Sequence, residues 1–130
     1  MDAVDEVWNR AAMAGGGPAA RGGDASLASV LSVHNMAMSG GLLNAVEQAN
    51  PDQLEAAEAG YRWLRLDTAA DVVAMVRREI ETGALGDEDR ADALEARADD
   101  DYGRVVPTDQ ALFDAFRTRW SEDPDAFAPI

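Results

Sequence analysis

Between Asp87 and Tyr102 the chain reads DEDRADALEARADDDY, and eight of its first 15 residues carry carboxylates, against Arg90 and Arg97 alone. Glu88, Asp92, Glu95 and Asp99 recur at i, i+4, i+7 and i+11, a spacing that forms one stripe along a helix, with Asp89, Asp100 and Asp101 beside it. At about 1.5 Å of rise per residue the eight charges span roughly 21 Å. That is one per ~2.6 Å, approaching the one per ~1.7 Å of duplex DNA. Carboxylates at that density attract guanidinium and ammonium groups and repel phosphates. These seven residues, Glu88, Asp89, Asp92, Glu95, Asp99, Asp100 and Asp101, are the candidate partner-binding set. The same spacing also describes a solvated helix face that keeps a protein soluble.

The other residue types offer little chemistry. There is no cysteine, so disulfides, thiolate metal sites and cysteine nucleophiles are excluded. The single histidine, His34, follows Leu27, Val30 and Leu31 at helical spacing, which favours a hydrogen-bonded core residue over a ligand, with Asn35 beside it. No Glu-x-x-His or His-Glu-x-x-His pairing exists, and the run Asp99-Asp100-Asp101 lacks the oxygen-ligand spacing of a calcium loop. The glycine run at 14–23, AGGGPAARGG, is not followed by the Gly-Lys-Ser/Thr of a phosphate loop, nor preceded by a strand pattern. The expectation is a protein without catalytic residues, cofactor or metal.

Composition points the same way. The 130 residues carry 25 acidic groups against 11 basic ones, all arginine, for a net charge of −14. Such a surface disfavours nucleic acid and anionic lipid and attracts basic proteins. A GC-rich coding bias or a saline cytoplasm would also yield a chain with 26 alanines and no lysine. No apolar run reaches the ~20 residues of a membrane span, and the acidic start MDAVDEVWNR is unlike a secretory signal, so a cytoplasmic protein is expected.

Positioning the acidic stripe falls to about six helices in one all-α domain. Residues 2–13 form a first helix with Asp2 as N-cap, and 14–23 a mobile Gly-rich loop. An all-α acidic domain then fills 24–130. Asp24 starts the second helix, interrupted at Ser39-Gly40-Gly41 before Leu42, Leu43 and Val46 resume the pattern. Asn50-Pro51 starts the third, with Arg62 and Arg65 in its last turn. Val72, Val73, Val76 and Ile80 mark residues 69–80 as the central helix, capped by Asp67 or Thr68 and closed at Gly83. Thr108 caps a last helix carrying Leu112, Phe113, Phe116 and Trp120 as a core seam, with Phe127 and Ile130 tucking in the tail.

This order of signals resembles a family of small acidic all-α bacterial domains that includes a double-stranded-DNA-mimic protein. The resemblance runs from about Leu31 to Phe127. It rests on the Gly40-Gly41 break, Asn50-Pro51-Asp52, the helix pair through Ala59-Gly60 and Ala69, Asp101-Tyr102, the stretch from Phe116 to Trp120, Asp123-Pro124 and Phe127. Family members typically have Asn-Gly-Gly followed by aromatic residues, where this chain has Ser39 and then Leu42 and Leu43. The resemblance implies an all-helical fold and, by way of the mimic, binding to a DNA-binding protein.

Three functions follow as expectations. The first is a non-enzymatic DNA mimic that occupies a basic DNA-binding protein or nuclease, or by the same physics an immunity protein that neutralises a toxin. The second is an enzyme, disfavoured by the missing residue types. The third is a self-associating domain, a homodimer, whose acidity serves only solubility, with Trp8, Trp63 and Trp120 as the apolar surplus.

Overall fold

The computed structural model describes residues 2–130. The described chain is all-helical: α1 (Ala3–Ala14), α2 (Gly22–Gly40), α3 (Leu42–Gln48), α4 (Pro51–Trp63), α5 (Asp67–Glu81), α6 (Glu88–Val105) and α7 (Asp109–Glu122), with 3-10 turns at Ala84–Gly86 and Pro124–Ala126. The expected bundle of about six helices is there, and Gly41 supplies the seventh. With φ 89° and ψ 160° it turns the chain between α2 and α3 in a conformation that side-chain-bearing residues rarely adopt.

The helix at the centre is α2, which corrects the assignment of that place to residues 69–80. It packs against α1, α3, α4 and the C-terminal 3-10 turn, and buries Leu27, Val30, Leu31, Val33, His34 and Ala37. By contrast α5 buries Ala69, Ala70, Val73 and Val76 and leaves Val72 and Ile80 half-covered. Density of β-branched residues marked α5 as apolar. Length and small residues on its neighbours made α2 the hub instead. Gly60 shows how: a Cβ there would lie 2.6 Å from the Ser26 carbonyl oxygen and 2.9 Å from a Val30 methyl, so only glycine lets α4 approach α2 this closely.

Capping is mixed. Asn50 caps α4 as its place before Pro51 suggested, and the structure adds a full box: its side chain accepts from the Gln53 amide at 2.8 Å while Gln53 accepts from the Asn50 amide at 2.9 Å. The N-cap of α5 is Leu66 rather than Asp67 or Thr68, and neither Asp2 nor Thr108 makes a side-chain cap bond. α2 begins at Gly22, two residues before Asp24, whose carboxylate reaches back to the Arg21 amide at 2.9 Å. α4 ends in a Schellman motif, Leu66 N–H to Tyr61 C=O at 2.8 Å and Arg65 N–H to Arg62 C=O at 2.9 Å, with Arg65 left-handed at φ 63°. Gly83, at φ 92°, takes the left-handed position expected after α5.

The aromatic seam on α7 is internal. Phe127 lies among Phe116, Trp63 and Trp120 at ring separations of 5.4, 5.6 and 5.5 Å, and Trp8 meets Phe113 edge-on at 5.1 Å. The three tryptophans are thus half-buried against the protein's own core. Phe127 tucks in the tail as expected, whereas Ile130 stays 63% exposed. Although the Gly-rich loop tethers it, α1 is fixed in place: Val7 and Ala11 are buried. The Arg10 guanidinium donates to the buried Asp24 carboxylate at 2.9 Å, to Ala128 C=O at 2.9 Å and to Pro129 C=O at 3.1 Å. The Ala128 amide donates to the same carboxylate at 2.7 Å.

Candidate functional site

The acidic helix α6 is pinned by Leu94, Ala98 and Tyr102, which are buried on the side facing the body. Its start is set by Asp87, whose carboxylate accepts from the amides of Asp89 and Arg90 at 3.0 and 3.2 Å and is thereby used as a cap. The seven candidates then divide. Asp99 accepts from the Leu42 amide at 3.0 Å and caps α3 just past Gly41. Asp101 is half-buried between Arg97 at 3.5 Å and Arg104 at 3.4 Å. Glu88, Asp89, Asp92, Glu95 and Asp100 are exposed, and among the described residues their carboxylates have no hydrogen-bond or ion-pair partner.

The division has a direction. Arg90, Arg97 and Arg104 recur every seven residues, roughly half a turn around the helix from Glu88, Asp92 and Glu95. Arg90 reaches Glu79 of α5 at 3.4 Å, while Asp99 reaches the start of α3. So α6 carries its arginines on the shoulder toward α5 and its free acids on the shoulder toward α3 and outward. The free acids span about 18 Å, one per ~3.6 Å, close to the ~3.4 Å phosphate spacing of a single DNA strand rather than the duplex value read from the sequence.

A second polar assembly is buried. His34 Nε2 lies 2.6 Å from Asp109 Oδ1, His34 Nδ1 lies 2.8 Å from the Tyr102 hydroxyl, and that hydroxyl lies 2.6 Å from Tyr61 Oη. A carboxylate only accepts, so in the neutral ring Nε2 carries the proton, Nδ1 accepts from Tyr102, and Tyr102 accepts from Tyr61. The chain ties together α7, α2, α6 and α4. Burial pushes both phenol groups above the ordinary tyrosine range, for Tyr102 with a further push from Tyr61, so both stay neutral donors. His34, Tyr61 and Tyr102 are each no more than 2% exposed, which leaves the Asp109 carboxylate as the end that meets solvent. The sequence placed His34 as a hydrogen-bonded core residue, which it is. Its partners were missed because they lie 68 and 75 positions away and nothing local signals the pairing.

Among the described residues no group of three or more histidine, aspartate or glutamate side chains is placed to hold a metal ion, and no helix is long and apolar enough to cross a membrane. Comparison with known proteins finds no family model that matches the chain and no similar curated protein or solved structure. The resemblance to the DNA-mimic family therefore rests on the sequence motifs alone.

Proposed function

We propose that this chain is a non-enzymatic interaction domain that binds a basic protein through the outward shoulder of α6, occupying a surface that otherwise receives nucleic-acid phosphates. The observation that carries the reading is the set Glu88, Asp89, Asp92, Glu95 and Asp100: exposed, on one rigid helix, and without arginine partners, with Glu88, Asp92 and Glu95 on the shoulder away from Arg90, Arg97 and Arg104 and with Asp89 and Asp100 on the outward crest between the two. A helix that served only solubility has no reason to separate its signs in this way, since interspersed acids and arginines solvate equally well. Unpaired carboxylates keep their acceptor capacity for guanidinium and ammonium groups, and the net charge of −14 steers a cationic partner toward them. Contact is direct only with the partner, since phosphates and anionic lipid are repelled.

The test uses the immobilised full chain and a variant with Glu88→Gln, Asp89→Asn, Asp92→Asn, Glu95→Gln and Asp100→Asn. The native chain is expected to retain basic proteins from a low-salt lysate and to release them both to rising salt and to added duplex DNA. The variant is expected to retain none of the DNA-released fraction. Equal retention by the variant, or release that DNA does not provoke, would remove the basis for the reading.

A further inference from the structure

Between the C-terminal half of α3, the start of α4 and the last turns of α5 the surface dips into a recess of about 190 Å3. Its walls are apolar, formed by Val46, Ala49, Pro51, Leu54 and Ile80, and Arg77 and Glu81 complete the lining. Arg77 donates to Glu58 at 2.8 Å and lies 3.6 Å from Glu81. One cation held by two carboxylates leaves the group with a net negative charge, and the Glu81 side chain, 66% exposed, keeps acceptor capacity toward solvent. Arg77, already engaged on both sides, is a poor receptor for an anion. The volume falls below the ~300 Å3 at which sites for drug-sized ligands begin, so the recess suits a single side chain rather than a cofactor. Apolar walls with an acidic edge describe an anchor pocket of the kind that carries much of the energy of a protein interface.

We propose that this recess receives one branched aliphatic side chain of a basic protein partner, with an adjacent arginine or lysine of that partner pairing with Glu81. The inference rests on the reading of the chain as a binder of basic proteins, but it uses residues separate from the α6 acids. It adds an element of selectivity: carboxylates alone accept any cationic surface, whereas the recess favours one that also offers an apolar residue beside its charge.

The experiment follows the methyl signals of Val46, Leu54 and Ile80 by NMR in the full chain during titration with three N-acetylated tetrapeptide amides, Gly-Leu-Arg-Gly, Gly-Gly-Arg-Gly and Gly-Leu-Glu-Gly. Saturable shifts are expected with the first, at an affinity about tenfold or more above either of the others, the gain that burial of a leucine side chain supplies. Absence of saturable shifts overturns the proposal. So does equal affinity for Gly-Gly-Arg-Gly, which would mean charge alone is read, and so does equal or tighter binding of Gly-Leu-Glu-Gly, which would mean Arg77 takes an anion. Ala49→Leu, at a buried position with ordinary extended backbone angles, fills the recess and is expected to abolish the shifts; retained binding counts against the pocket. Glu81→Gln, at an exposed position where folding is not at stake, is expected to lower the preference for the arginine peptide over Gly-Leu-Glu-Gly, and an unchanged preference counts against the ion pair. Loss of peptide binding with DNA-released capture intact rejects the pocket alone. Loss of that capture with peptide binding intact rejects the α6 surface alone.

Discussion

Asp99 of α6 and Leu42 of α3, 57 positions apart, are joined by a hydrogen bond of 3.0 Å from the Leu42 amide to the Asp99 carboxylate. The bond satisfies one of the free amides at the start of α3 and holds two helices together, so this acid differs from the neighbours with which it shares a stripe. Asp99→Ala is expected to lower stability by about 1 kcal/mol, the usual cost of losing an N-cap acceptor. Asp92→Ala and Glu95→Ala are expected to stay within about 0.5 kcal/mol of the native chain, as exposed unpaired positions do. Urea unfolding followed by circular dichroism separates the two cases, and equal midpoints for all three variants would show that the cap contributes nothing.

In the buried polar chain, the middle member should matter more than the end. Tyr102→Phe leaves both the His34 Nδ1 acceptor and the Tyr61 hydroxyl without partners, an expected cost of about 3 kcal/mol, whereas Tyr61→Phe leaves the Tyr102 bond to His34 intact and should cost about 1 kcal/mol. Both changes keep the ring volume, so cavity effects do not intrude. Denaturation midpoints in the reverse order would contradict the place of Tyr102 as the member that bonds both neighbours.

These two tyrosines are the only ones in the chain, which makes alkaline titration easy to read. Burial raises both in the folded state. Above the ordinary tyrosine value of about 10 the unfolded chain therefore binds fewer protons than the native one, and stability falls as pH rises. It is complete below that pH and declines by about 1.4 kcal/mol per pH unit for each tyrosine above it. Phenolate absorbance near pH 10 to 12 should appear only together with loss of helical signal. Ionisation of either tyrosine while the helices remain intact would refute the buried, neutral assignment.

Arg65 holds a left-handed backbone conformation that costs a side-chain-bearing residue about 1 kcal/mol relative to glycine, and its guanidinium pairs with Glu122 at 2.7 Å. That bond holds the Glu122 carboxyl below the usual glutamate range, but both partners are substantially exposed, so the pair adds little to stability. Arg65→Gly is accordingly expected to be slightly stabilising, and Arg65→Ala, which keeps the strain and loses only the weak pair, to stay within about 0.5 kcal/mol of the native chain in thermal melts. A clear loss in the glycine variant would show that the ion pair outweighs the strain.

Arg10 joins α1, the start of α2 and the tail through one buried carboxylate. Arg10→Met keeps the aliphatic stem and leaves Asp24 with only its two backbone donors, at an expected cost of about 2 kcal/mol. Faster hydrogen exchange should appear in α1 and at residues 124–130 together. Exchange confined to either end alone would mean that Asp24 does not couple them.

What the sequence determined is what a turn or two of chain contains. Apolar periodicity set the helices, Asn50-Pro51 and Gly83 set two of their ends, Gly41 broke what would have been one long helix, and the count of acids set the charge. These signals are local because helix formation, capping and left-handed glycine conformations involve neighbours within about four residues. Tertiary structure alone decided that Asp99 is taken up by the start of α3, 57 positions away, while Glu88, Asp92 and Glu95, which share its stripe, stayed open; the cap at Asp87 and the Asp101 pairs with Arg97 and Arg104 are made within α6 and its first turn. It also decided that α2 rather than α5 lies at the centre, and that His34 meets Tyr102 and Asp109, and Asp24 meets Ala128 104 positions on. Those outcomes depend on which helix faces lie against each other. Packing and buried hydrogen bonds fix that jointly across the whole chain, so no short window of residues contains it.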